Sequence, residues 1–174
     1  MSITLQSSDF DLFGLPERFE QERAAIDARW KELQREAHPD KFAAQGNAAQ
    51  RVAMQWSVRI NEAYRRLKDP LARAAYLCEL RGAPIDAESN TAMPADFLVE
   101  QMEWRESLDE ARSQADLDAL ESELDRSRSE TLQRIGQLLD GQGDAGAAAK
   151  QVRALMFIER FGRDVEARID QLGQ

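Results

Sequence analysis

IDARWKELQREAHPDKF, residues 26–42, contains a helix, its end and a polar turn in one short run. Ile26, Trp30, Leu33 and Ala37 recur at the i, i+4, i+7, i+11 spacing that lines one face of an α-helix, so an amphipathic helix is predicted from about Glu17 to Ala37. The pattern stops at His38-Pro39, because a proline disfavours helical geometry in the residue before it and has no N–H to donate. Periodicity resumes from about Asn47, where Val52, Trp56, Ile60, Ala63, Tyr64 and Leu67 mark a second long helix that ends before Pro70. The expected product is two antiparallel helices joined by a His-Pro-Asp loop.

Working outward, FDLFGLP (residues 10–16) gathers Phe10, Leu12, Phe13 and Leu15 ahead of Pro16, which predicts a short buried helix and turn. Leu71, Ala74, Ala75, Leu77 and Cys78 predict a further helix. Residues 81–93, with Gly82, Pro84, Asn90 and little periodicity, read as a linker between a module over residues 1–80 and another over 94–174. In the second module, residues 95–113 place Phe97, Leu98, Met102 and Leu108 among charges. Residues 116–139 repeat the theme with Leu117, Leu120, Leu124, Thr131, Ile135 and Leu138. After the break GQGDAG (141–146), residues 147–169 present Val152, Leu155, Met156, Phe161 and Val165. Three helices with short connections most simply form an antiparallel bundle, because none can bury its apolar stripe alone.

Composition agrees with an all-α fold. Hydrophobic residues make up 43% of the 174-residue chain, enough for a core, and only five Pro and nine Gly interrupt it. Cys78 is the one cysteine, so neither an internal disulfide nor a thiolate metal cage is expected, and a cytoplasmic protein is. No membrane span or secretory segment is expected either. The net charge of −9 argues against nonspecific nucleic-acid binding. It is unevenly spread: residues 1–78 carry 12 Lys and Arg against 11 Asp and Glu (+1), and the remainder carries 11 against 21 (−10).

A His-Pro-Asp tripeptide is weak alone. Here it lies in the turn of a helical hairpin, continues as HPDKF (38–42), and precedes INEAYRRLKDPLARAAY (60–76). At these residues the sequence resembles the J-domain family. The resemblance implies that His38, Pro39 and Asp40 engage an HscA/DnaK-type ATPase chaperone and stimulate its ATP hydrolysis. Pro39 would stiffen the loop, and the Asp40 carboxylate would accept a charge-assisted hydrogen bond from an arginine of the partner. Lys31 and Arg35 fall almost opposite the predicted buried face, one turn apart. With Lys41 they match the basic positions by which the family approaches an acidic chaperone surface, although Glu32 and Glu36 dilute the patch. Without the tripeptide, Lys31 and Arg35 would read as a solvated helix face.

The order FDLFGLP (10–16), HPDKF (38–42), PLARAAYL (70–77) and FLVEQMEWRESLDE (97–110) is similar to HscB, the specialised J-protein family of iron–sulfur cluster biogenesis. That resemblance implies a J-domain joined to a three-helix bundle that binds an IscU-type scaffold. The matching scaffold-binding positions are Leu98, Val99, Met102, Glu103 and Glu106 on the first bundle helix and Phe157 on the last, with Val99 replacing a methionine often found there. Periodicity alone favours burial of Leu98 and Met102 in the bundle core, and the resemblance reverses that choice. Trp104 is left between packing beneath the J-domain and lying beside the scaffold site. Cys78 reads as a small buried hydrophobe rather than a cluster ligand. The implied protein binds and regulates without catalysing, and needs neither metal nor cofactor. Two other readings remain: a general J-protein with other clients, and an enzyme using His38, for which the sequence offers no second histidine, nucleotide loop or nucleophile constellation.

Overall fold

A computed structural model describes residues 2–173, and among them every regular element is helical. The chain divides into two units, residues 1–77 and 78–174.

The first unit opens with α1 (Asp9–Phe13), capped by the Ser8 hydroxyl, which accepts from the Asp11 N–H at 3.1 Å, and closed by Gly14 in the left-handed region at φ 64°. Phe10, Leu12 and Phe13 are buried as the sequence predicts. Asp9 is completely buried too: Arg59 reaches its carboxylate at 2.8 Å and Arg66 at 2.6 Å, and its N–H donates to the Tyr76 hydroxyl.

The second helix, α2 (Arg23–Ala37), starts later than periodicity predicts. Residues 17–22 instead turn Phe19 into the core beneath the Arg73 guanidinium, and the Gln21 side chain donates to the carbonyls of Pro16 and Arg18. Ile26 and Leu33 are buried, with Trp30 and Ala37 half-buried. A 3-10 turn, Pro39–Gln45, leads into α3 (Asn47–Lys68). A polar ladder joins α2 to α3 along one side: Trp30 Nε1 donates to Asn61 at 3.0 Å, Gln34 donates to the same oxygen at 2.6 Å, and the Tyr64 hydroxyl donates to Asp27 at 2.8 Å. Trp30 and Tyr64 stack at 4.5 Å. Val52, expected on the buried face of α3, is 52% exposed. The short 3-10 turn covers less of α3 than a full helix would, so Val52 lies at the rim of a groove that also exposes Phe42 and Trp56.

Pro70 opens α4 (Pro70–Leu80), which runs across the boundary into the second unit. That unit contains α5 (Phe97–Glu110), α6 (Gln114–Gly136) and α7 (Ala145–Leu172), with α6 and α7 the most extensively packed pair. Its aromatic core joins Phe97, Trp104, Phe157 and Phe161 to Leu120, Leu124 and Val165. Trp104 is therefore a bundle-core residue, edge-on to Phe97 at 5.6 Å and stacked on Phe161. Leu138, expected on the buried stripe, is half-buried and Leu139 takes the core position. Leu139 continues the i, i+4, i+8 row of the buried Thr131 and Ile135 as α6 passes into the π-helical segment Gln137–Gln142. Residues 81–93, expected as a linker, fall within the second unit. The buried Arg153 side chain donates to the carbonyls of Pro84, Ile85 and Ala92 and straps this segment to α7.

Candidate functional sites

The His-Pro-Asp turn is built by the end of α2. His38 leaves helical geometry at ψ 128°, as a residue before proline must, and its Nδ1 accepts from the Asp40 N–H at 3.2 Å. With Nδ1 occupied as an acceptor, a neutral ring carries its proton on Nε2. Pro39 sits at the first position of the 3-10 turn, where its missing N–H costs nothing. The local order leaves the Asp40 carboxylate presented: its side chain is 92% exposed, and its closest basic neighbour, His38 Nδ1, is 3.7 Å away.

Lys31, Arg35 and Lys41 are all exposed, and among the described residues none of them forms an ion pair. Glu32, which could have neutralised the first two, turns back to Arg29 at 2.8 Å. Lys31 and Arg35 share a helix edge by their i, i+4 spacing, so free cations and a free carboxylate occur within one short stretch of chain. The arrangement suits a partner surface with an acidic patch and an arginine.

In the second unit, Leu98, Val99 and Met102 are 55%, 57% and 70% exposed, so the burial that periodicity alone favours for Leu98 and Met102 does not occur. Phe97 and Trp104 occupy the inward face of α5 and turn these residues outward. Glu103 and Glu106 are exposed beside them. Phe157 is placed differently: only 7% exposed, edge-on to Phe97 and stacked on Phe161, it forms the floor of a groove between α5 and α7. Arg105, to which sequence reasoning gave no role, lies over the Phe157 ring with its guanidinium carbon 5.5 Å from the centroid. An arginine at i+8 from Phe97 carries no distinctive sequence signal, and only the α5–α7 packing reveals the contact. Leu98, Met102 and Arg105 follow the i, i+4, i+7 spacing of a single helix edge, so the exposed apolar strip continues to the groove.

Among the described residues, no group of three or more His, Cys, Asp or Glu side chains could hold a metal ion. Cys78 is buried, and that burial pushes its thiol up to about 11. No described helix is long and apolar enough to cross a membrane.

Comparison with known proteins agrees with this architecture. Residues 93–166 match the family model of the HSCB C-terminal oligomerisation domain. The chain is 51% identical over 173 residues to a co-chaperone protein HscB homolog of Burkholderia multivorans and 50% identical to that of Burkholderia cenocepacia, covering 98% of both chains in each case. Among solved structures, the chaperone HscB from Vibrio cholerae superposes with a TM-score of 0.80 at 36% identity, over 95% of this chain and 99% of that one. The human co-chaperone protein HscB gives 0.87 at 26% identity, over 97% and 85%. With its exposed His-Pro-Asp turn, its helical second unit and this full-length similarity, the chain belongs to the HscB family of J-domain co-chaperones.

Proposed function

We propose that the protein stimulates ATP hydrolysis by an HscA/DnaK-type chaperone through residues 31–41 and delivers to it an IscU-type iron–sulfur scaffold held on the second unit, promoting cluster maturation and transfer. The observation that carries this reading is the separation of two differently built surfaces along one chain. One offers the exposed Asp40 and the unpaired Lys31, Arg35 and Lys41 around a stiff turn. The other offers Leu98, Val99 and Met102 edged by Glu103 and Glu106, with Phe157 beneath the adjoining groove.

The first surface acts by presentation. Pro39 and the His38 contact to the Asp40 N–H hold the loop, and the Asp40 carboxylate accepts hydrogen bonds from an arginine of the chaperone while Lys31, Arg35 and Lys41 steer the approach. On the second surface, apolar side chains supply burial and the glutamates select a scaffold with a basic patch. The J-domain spans residues 1–80 and the scaffold-binding bundle 94–174. The protein works in the cytoplasm, performs no chemistry of its own and needs no cofactor; the cluster is cargo on the scaffold.

Asp40→Ala, at a residue whose carboxylate makes no structural bond, is expected to leave the thermal midpoint unchanged and to abolish stimulation of the chaperone ATPase in a steady-state phosphate-release assay. Stimulation at the wild-type level would refute the chaperone assignment. Met102→Ala combined with Leu98→Ala is expected to weaken scaffold binding in titration calorimetry by tenfold or more, since each buried apolar side chain contributes roughly 1.5–3 kcal/mol. Scaffold-free ATPase stimulation should persist in that variant.

A further inference from the structure

We infer that Arg105 is a displaceable gate over a subsite floored by Phe157, and that the gate opens to admit one bulky apolar side chain from a basic segment of the scaffold partner. The inference rests on the proposed scaffold site and adds a moving part to it.

Four observations carry it. First, the Arg105 guanidinium covers the Phe157 ring at 5.5 Å, although Arg105 is itself exposed and forms no ion pair among the described residues. Secondly, the floor is fixed. Phe157 is stacked on Phe161 at 5.8 Å with the rings 11° from parallel and is edge-on to Phe97, so the cover is the part free to move. Thirdly, the groove beside the covered ring has a volume of about 510 Å³ with Arg105 in place, enough for a large side chain to enter, and displacement of the guanidinium lets that side chain reach the aromatic floor. Fourthly, Arg105 at the rim of the groove lies on the same edge of α5 as the exposed Leu98 and Met102, so a partner seated on the strip is brought beside the groove.

The open position is also provided. Asp109 lies one turn beyond Arg105 on the same edge and lines the same groove, and an i, i+4 arginine–carboxylate pair gives the released guanidinium a place to rest. A cation–π contact at an exposed site is weak, so leaving it changes the equilibrium by only about two- to fivefold. The gate therefore opens readily yet disfavours casual occupancy of the aromatic floor. Charge identifies the occupant. Once Arg105 has paired with Asp109, Asp164 and Arg160 balance at the rim, and the groove sits in a region carrying 11 basic against 21 acidic residues. An apolar side chain flanked by lysine or arginine fits that setting.

The test uses the full chain and the purified apo form of the IscU-type scaffold. In the free protein, NMR signals of the Arg105 side chain should show the upfield ring-current shift of a group above Phe157, and saturating scaffold should abolish that shift. Arg105→Ala should bind the scaffold two- to fivefold more tightly in titration calorimetry, and Asp109→Asn should bind two- to fivefold more weakly. If Arg105→Ala weakens binding or leaves it unchanged while the Leu98→Ala, Met102→Ala variant still loses affinity, the gate is refuted and the scaffold site stands. If that double variant binds normally, the scaffold site itself is refuted. A concentration-dependent dimer in sedimentation equilibrium that Arg105→Ala strengthens would assign the groove to a second copy of this chain and overturn the proposal.

Discussion

Glu100 illustrates what the exposed face of α5 costs at a single residue. Partial burial first, and then the nearby Asp96 carboxylate, raise its carboxyl above the ordinary value. A carboxyl raised on folding favours the fold when protonated. Its contribution is present below the unfolded-state value and is lost as pH rises through the folded-state value, so at neutral pH the ionised Glu100 opposes folding. Glu100→Gln is accordingly expected to raise the thermal midpoint at pH 7 by roughly 1–2 °C, and the difference from wild type should shrink as pH falls through the raised folded-state value and be gone below about 4. Differential scanning calorimetry across that range checks both size and direction.

At the scale of elements, burial of charge decides more than helix propensity. The five-residue α1 is far too short to persist alone, and it is fixed in place by Asp9 beneath Arg59 and Arg66 as well as by Phe10 and Phe13. Breaking a buried ion pair from one side leaves the partner charge without compensation. Asp9→Ala should therefore lower unfolding stability by about 3 kcal/mol, read from urea denaturation, while Arg66, at 41% exposed, recovers some hydration. None of this was legible in the sequence, where Asp9 looks like any acidic residue near a helix start. The long helices were legible because their stripes of Ile26 and Leu33, Ile60 and Leu67, or Leu117, Leu120 and Leu124 repeat through several turns. Periodicity failed where a local device altered the geometry. The packing of Phe19 delayed α2 and the 3-10 turn uncovered Val52, whereas Leu139 rather than Leu138 continues the row of Thr131 and Ile135. The segment 81–93 resembled a linker because it lacks periodicity, yet Arg153 secures it through backbone carbonyls, which a sequence does not display. Of the two candidate sites, the turn was legible because proline and its neighbours impose local geometry. The α5 strip was legible only through the family resemblance and not through periodicity, because exposed and buried apolar residues share the same helical spacing until Phe97 and Trp104 are known to take the inward face.

For the whole molecule, the separation of charge sets how the two tasks respond to salt. Residues 1–78 are nearly neutral overall, with local cations at Lys31, Arg35 and Lys41, whereas the remainder carries 11 basic against 21 acidic residues. Long-range attraction from such an excess accelerates encounter with a basic scaffold, and it is screened once the Debye length falls from about 10 Å at 0.1 M salt to about 3 Å at 1 M. In the proposed complex the scaffold association rate should drop by about tenfold over that interval in stopped-flow measurements, with a smaller change in the dissociation rate, because the apolar contacts proposed at Leu98 and Met102 are insensitive to salt screening. Glu103→Gln with Glu106→Gln should flatten the salt dependence of association and leave scaffold-free ATPase stimulation intact, since neither residue belongs to the turn-bearing unit. An unchanged salt slope in that variant would move the steering charge elsewhere in the acidic region and reduce Glu103 and Glu106 to a solvated edge of the apolar strip.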